Sequence, residues 1–475
     1  MAVIAAYMVP HPPMIIPDVG RGSEQQVQKT IDAYTKVAEE IAASQPETII
    51  ISSPHATMYA DYFHISPGEE AKGNFGKFLA ADVRFREEYD TELVDQIEYL
   101  AEEEEFPAGT MGERDPMLDH GTMVPLYFIR QKYKDFKIVR IGLSGLSLHD
   151  HYRLGQIIQQ AVSATNRRVV YVASGDLSHK LQKSGPYGFA PEGPVYDERI
   201  MDVCSRGAFG EMFDFDEDFC DKAAECGHRS FVMMAGALDG LEVDARMLSH
   251  EDITGVGYGI CTFRVRYDLK GWPVYSDERR FLDRYYEEKE RKLREKQEQS
   301  DAYVRLARKS VESFVRDRVH LDTEDGLDGF SEEEIAELTS GKAGVFVSIH
   351  EHGSLRGCIG TILPTADSVA EEIIQNAISA STRDPRFEEI TEEELPWLEI
   401  NVDVLTAPER IDSMELLDVK KYGVIVTSGM RRGLLLPDLE GVDTVEEQVS
   451  IAMRKGGIRD GEEIELERFE VVRHY

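Results

Sequence analysis

The sequence predicts an α/β N-terminal domain, a mostly parallel central sheet covered by helices, followed by an α+β C-terminal domain of different layout. Three observations predict it. Short apolar runs alternate with helical periodicity through residues 1–275, a charge-dense stretch interrupts the pattern at 276–300, and strands and helices resume over 301–475 without the earlier alternation.

In the first part, apolar runs fall at residues 3–9, 48–52, 136–143 and 168–173, and a helix of near-3.6 spacing is expected at 24–43. Apolar strands separated by helices are what a doubly covered parallel sheet requires. The segment SDERRFLDRYYEEKERKLREKQEQS is dense in charge and in helix formers, and reads as an exposed linker helix. After it, Tyr303, Leu306, Ala307, Val311, Phe314 and Val315 form one apolar helical face that opens the second domain. Strands are expected there at 344–349, 398–405 and 423–426, with a helix at 368–381.

A chain of 475 residues exceeds one ordinary core, and its 42% hydrophobic content indicates folded domains. The formal net charge of −36 argues against nucleic acid or an anionic membrane as partner, because phosphate recognition needs clustered Lys and Arg. The five cysteines, Cys204, Cys220, Cys226, Cys261 and Cys358, are odd in number and form no CxxC pair, so neither a disulfide framework nor a zinc knuckle is indicated. The first residues lack the basic stretch of a signal peptide, no apolar run is long enough to span a bilayer, and a cytoplasmic location is expected.

The chemistry lies at strand exits. One strand runs into Pro10-His11-Pro12-Pro13, a second into Pro54-His55, and a third into Gly175-Asp176-Leu177-Ser178-His179. In a parallel sheet such exits share one edge, where ligands bind in open α/β folds. A lone histidine after a strand is usually a hydrogen-bonded loop residue; three at one rim suit a metal or acid–base site. Two imidazoles and a carboxylate are the donor set of non-haem Fe(II) oxygenases. Glu225 is the candidate carboxylate, with its neighbour Cys226 as the alternative third donor. Fe(II) is the first expectation, and a thiolate would shift preference to zinc or copper.

The ordered motifs VPHPPMIIPDVG, SSPHATMYADYF, LDHGTMVPLYF, ASGDLSH and AAECGHRSF resemble the LigB-like class III extradiol dioxygenases and, more distantly, the MEMO proteins. The resemblance implies His11, His55 and Glu225 as metal ligands, with Cys226 in the MEMO manner as alternative. It implies His179 as catalytic acid–base and His120 as a second active-site histidine. The implied reaction is ring cleavage of a catechol-like substrate by dioxygen; the alternative is metal handling without turnover.

In the second half, Leu355-Arg356-Gly357-Cys358-Ile359-Gly360 and Thr382-Arg383-Asp384-Pro385-Arg386-Phe387 resemble the AMMECR family, with Arg432-Gly433-Leu434-Leu435-Leu436-Pro437 in support. The resemblance implies a second pocket walled by Arg356, Cys358, Arg383 and Arg386, and carries no established reaction. A free cysteine is as well explained by burial as a small hydrophobe. The fused pair resembles the A component of the AmmeMemoRadiSam set, which implies a radical SAM enzyme and a MEMO protein as pathway partners. A homo-oligomer is a further expectation.

Overall fold

The computed structural model describes residues 3–114, 116–351, 353–439 and 441–475. The chain divides into two compact units, 1–286 and 287–475.

The first unit is built on six strands: β1 (Val3–Val9), β2 (Thr48–Ser53), β3 (Lys137–Gly142), β4 (Val169–Ser174), β5 (Val243–Glu251) and β6 (Tyr258–Val265). Their order is β3-β2-β4-β1-β6-β5. The first four are parallel, and β6 and β5 extend the sheet antiparallel. Strands β2 and β4 are buried along their whole length, as a sheet covered on both faces demands. One face, with Tyr7, Ile49, Ile51 and Val172, packs on α1 (Gln28–Ser44) and α3 (His120–Lys132). The other, with Met8, Ile50, Tyr171 and Ala173, packs on α2 (Thr91–Glu103), α4 (Leu148–Thr165), α5 (Glu192–Arg206) and α6 (His228–Ala237).

The register aligns the exits. Val9 lies opposite Ser174, and Ser52 opposite Ala173, so the chains leaving β1, β2 and β4 emerge side by side. Sequence patterning did not anticipate β5 and β6. Strand β5 carries exposed and half-exposed residues along much of its length, so its sequence lacks the apolar run that marks the central strands. Helix α1 starts at Gln28 because residues Ser23–Val27 form a 3₁₀ turn after Gly22, whose φ is +106°.

A charged helix, α7 (Phe281–Glu298), leads into the second unit and carries the ion pairs Arg291–Glu288 and Arg291–Glu295 on its surface. That unit is α+β. Its strands β7 (Gly344–Glu351), β8 (Ser354–Gly360) and β9 (Leu398–Leu405) join Val471–His474 in one antiparallel sheet. Helices α8 (Ala302–Asp317) and α9 (Val369–Thr382) cover one face of it. A second four-stranded antiparallel sheet holds Gly423–Ser428 and Arg431–Leu435. Among the described residues, no helix is long and apolar enough to cross a membrane.

Candidate metal centre

His11 follows β1 at the rim, 2% exposed, with its backbone amide donating to Asp176 Oδ1 at 2.7 Å. Its Nδ1 lies 3.0 Å from Ser174 Oγ, and that hydroxyl donates its single proton to the Gly121 carbonyl at 2.6 Å. Ser174 therefore accepts from His11, which fixes the proton on Nδ1 and leaves the Nε2 lone pair free. Nε2 faces His55 Nε2 at 3.0 Å.

Cys226 Sγ lies 3.7 Å from His11 Nε2 and is the third candidate donor. Among the described residues, His11, His55 and Cys226 are the group whose donor atoms all lie within 4.8 Å of one another. Ligand bonds of about 2.0–2.1 Å to nitrogen and 2.3 Å to sulfur place neighbouring donors roughly 3 to 3.6 Å apart, so these residues fit one ion. The sulfur is also aimed by the backbone: the Asp176 amide donates to it at 3.3 Å. That contact depends on Gly175 and Gly227, which pack face to face. A Cβ on Gly227 would lie 2.8 Å from the Gly175 Cα, and one on Gly175 would collide with the Gly227 Cα.

This arrangement corrects the expectation for Glu225. Its carboxylate turns away from the histidines and accepts the His228 amide at 2.5 Å, at the start of α6. The thiol, and not the carboxylate, lies in one group with the two histidines.

The electrostatics keep the donors neutral. Burial, reinforced by His55, lowers the His11 pKa to about 3; burial also lowers His55. Burial raises the Cys226 thiol well above its ordinary value, with Asp176 and Glu225 adding to the effect. Asp176 is raised to about 6 and Glu225 to about 7, both by burial that outweighs the amides they accept.

His120 is the first residue of α3, its ring 4.0 Å from that of His55 and 5.5 Å from those of His11 and Phe78. Burial and the two neighbouring imidazoles lower it to about 3. The Asp119 N-cap accepts from Ser53 Oγ at 2.6 Å and from the Thr122 amide at 2.9 Å. Although burial pushes the Asp119 pKa up, those bonds and Arg140 hold it below the usual range. A Cβ on Gly121 would collide with Ser53 Oγ and displace the hydroxyl that Asp119 accepts. His179, at the third exit, is half-buried and stacks on Tyr187 with ring centroids 5.0 Å apart. Its pKa is lowered by burial, and it is felt electrostatically by His11.

Ser174, Asp119 and Ser53 were missed from sequence, since a serine closing a strand and an N-cap aspartate carry no signal beyond their local role.

In the second unit, Cys358 and Arg386 come together. Asp384 accepts from the Cys358 amide at 2.9 Å and from Arg386 Nη2 at 2.6 Å, while Ser348 Oγ donates to Cys358 Sγ at 3.2 Å. Arg356 pairs with Glu394 at 2.6 Å and donates to the carbonyls of Glu388 and Glu389, so its guanidinium is tied to the 388–394 loop. Arg383 is exposed at the C-terminal end of α9.

A family profile described as the catalytic LigB subunit of aromatic ring-opening dioxygenase matches residues 5–261, and the AMMECR1 profile matches 304–474. A protein of Clostridium acetobutylicum is 40% identical over 482 residues, covering 100% of this chain and 99% of its own. A protein of Thermotoga maritima is 47% identical over 174 residues, 36% of this chain and 96% of its own. Among solved structures, an uncharacterized protein from Escherichia coli K12 aligns over 55% of this chain and 99% of its own, at 13% identity and a TM-score of 0.38. With the LigB profile covering more than half the sequence and the Clostridium relative aligned end to end, the chain belongs to the LigB family of aromatic ring-opening dioxygenase subunits, fused here to an AMMECR1 domain.

Proposed function

We propose that the first unit is a metal-dependent oxidoreductase that takes a small aromatic, catechol-like substrate and dioxygen, with His11, His55 and Cys226 as its metal ligands. The observation that carries this reading is the convergence of three donors from separate elements on one rim, two imidazole nitrogens at 3.0 Å and a sulfur at 3.7 Å. Fe(II) is the first candidate through the family, with zinc or copper favoured by the sulfur. When bound, the ion supplies Lewis acidity and open coordination positions for adjacent oxygens.

The chain's own residues supply the rest. His179 is neutral at pH 7 and can take a hydroxyl proton at a ring nitrogen, then return it. His120, also neutral, is set by the Asp119-capped start of α3 and can hydrogen-bond a substrate oxygen. Phe78 lies beside His120 and Tyr187 beside His179, so each of the two imidazoles has an aromatic neighbour. Loading the protein anaerobically with Fe(II), then adding a catechol panel and air, should give ring-opening absorbance that is lost in His179→Gln. Bound iron with no turnover on any catechol overturns the oxygenase reading.

A second reading, metal handling without turnover, is favoured by Cys226, because a thiolate suits softer ions than an oxygenase iron does. Metal analysis after purification without oxygen separates the two. Copper or zinc that stays bound through Fe(II) challenge supports handling.

A further inference from the structure

We propose that the Asp197–His250 pair is a positioning device that sets the backbone carrying His179. The inference rests on the reading of His179 as the proton-carrying group, and its test needs no turnover.

The loop after β4 is held through Ser178. The Ser178 amide donates to Asp197 Oδ1 at 2.9 Å, and the other oxygen of that carboxylate accepts from His250 Nε2 at 2.8 Å. Ser178 Oγ donates to the Ala223 carbonyl at 2.7 Å and accepts the Lys180 amide at 3.0 Å, while its carbonyl accepts the Gly257 amide at 2.8 Å. The His179 amide donates to the Ala224 carbonyl at 3.3 Å. Thus α5, β5, the 223–224 turn and the residues leading into β6 converge on the residue before His179. The Ala223–Ala224 turn also leads directly to Cys226, so one network sets both the imidazole and the sulfur.

A carboxylate 2% exposed is expensive to bury unless it is paired. His250 provides that pairing from a side chain 32% exposed, beside a cavity of about 430 Å³ lined by Leu181, Met201, Met247 and Asp252. With one oxygen on the Ser178 amide and the other on His250, the carboxylate is satisfied in one orientation. The fit is tight: a Cβ on Gly257 would collide with Asp197 Oδ2 and lie 2.8 Å from the Leu177 Cβ.

Full-length, metal-free protein labelled with ¹⁵N-histidine tests this, with ring resonances read at fixed pH and His179 assigned by His179→Gln. Asp197→Asn and His250→Gln should shift or broaden the His179 signal and leave those of His11 and His55 in place. An unmoved His179 signal in both variants overturns the proposal, and so does a common shift of all three histidines, which would mean general loosening. If Asp197→Asn does not fold, His250→Gln, altered at a partly exposed side chain, decides alone. A failed catechol assay with the expected NMR result would discard the oxygenase reading and keep the positioning role.

Discussion

Ser174 accepts the Nδ1 proton of His11 at 3.0 Å and gives its own proton to the Gly121 carbonyl at 2.6 Å. One hydroxyl therefore fixes the tautomer of His11, the most buried of the three candidate ligands, and ties β4 to the start of α3. Ser174→Ala leaves both partners unsatisfied in a dry environment, a loss of about 1–3 kcal/mol in stability. It also frees the ring to turn. Metal affinity should fall by about 10–100-fold, measured by competition with a chromophoric chelator. Unchanged affinity would show that Nε2 is presented without this bond.

Cys226 and Glu225 are adjacent, yet only the sulfur reaches the histidines. Cys226→Ala should abolish tight metal binding, and Glu225→Gln should preserve it. The Glu225 pKa, raised to about 7 from an unfolded value near 4.3, means the folded state carries a burdened carboxylate above pH 7. The neutral amide keeps an oxygen to accept the His228 amide. Glu225→Gln should therefore raise stability at pH 8 by about 1–3 kcal/mol and leave it unchanged at pH 4. Denaturant midpoints at the two pH values check the difference.

Metal binding should release one proton. At pH 7 and above His11 and His55, both lowered by burial, are already neutral, whereas burial keeps the Cys226 thiol protonated well past pH 8. The ligand must be the thiolate, so the apparent association constant should rise about tenfold per pH unit between 7 and 8.5. Below about 6, where Asp176 gains its proton, the slope should steepen. Calorimetry in buffers of different ionisation enthalpy counts the proton. A flat profile would mean that sulfur does not coordinate.

Much of this centre was legible in the sequence because its parts sit where patterning is strongest. His11, His55 and the Asp176–His179 loop each follow a buried apolar strand, and the parallel register that brings them together follows from the alternation of strands and helices. The choice between the two candidate third ligands was not legible. Glu225 and Cys226 lie on an irregular turn, where Ala224 takes a φ of +53° and no periodicity says which side chain faces the rim. Asp197 and His250 are 53 residues apart and belong to elements that the apolar pattern marks weakly or not at all. Arg356 shared a motif with Cys358 but found a stronger partner in Glu394, a contact set by a distant loop.

Acid should unfold the metal-free first unit earlier than an ordinary domain. His11 and His120 have pKa values near 3, and His151 and His228 near 4, all lowered chiefly by burial. In the unfolded chain each returns to about 6.5. A depressed histidine is neutral in both states above that value, so its effect appears only as pH falls: the unfolded chain binds protons that the folded one refuses. Between pH 7 and 5 each of the four should cost roughly 2 kcal/mol. Asp176 and Glu225 act oppositely, because their raised pKa values let the folded state take up protons first, returning roughly 1–2 kcal/mol each over the same window. The histidines win by several kcal/mol. Chemical denaturation followed at pH 7, 6 and 5 should show a falling midpoint, and His228→Asn should flatten part of the decline. Zinc added in excess at pH 7 should raise the midpoint there by mass action, and progressively less as protons compete for the thiolate and the two imidazoles.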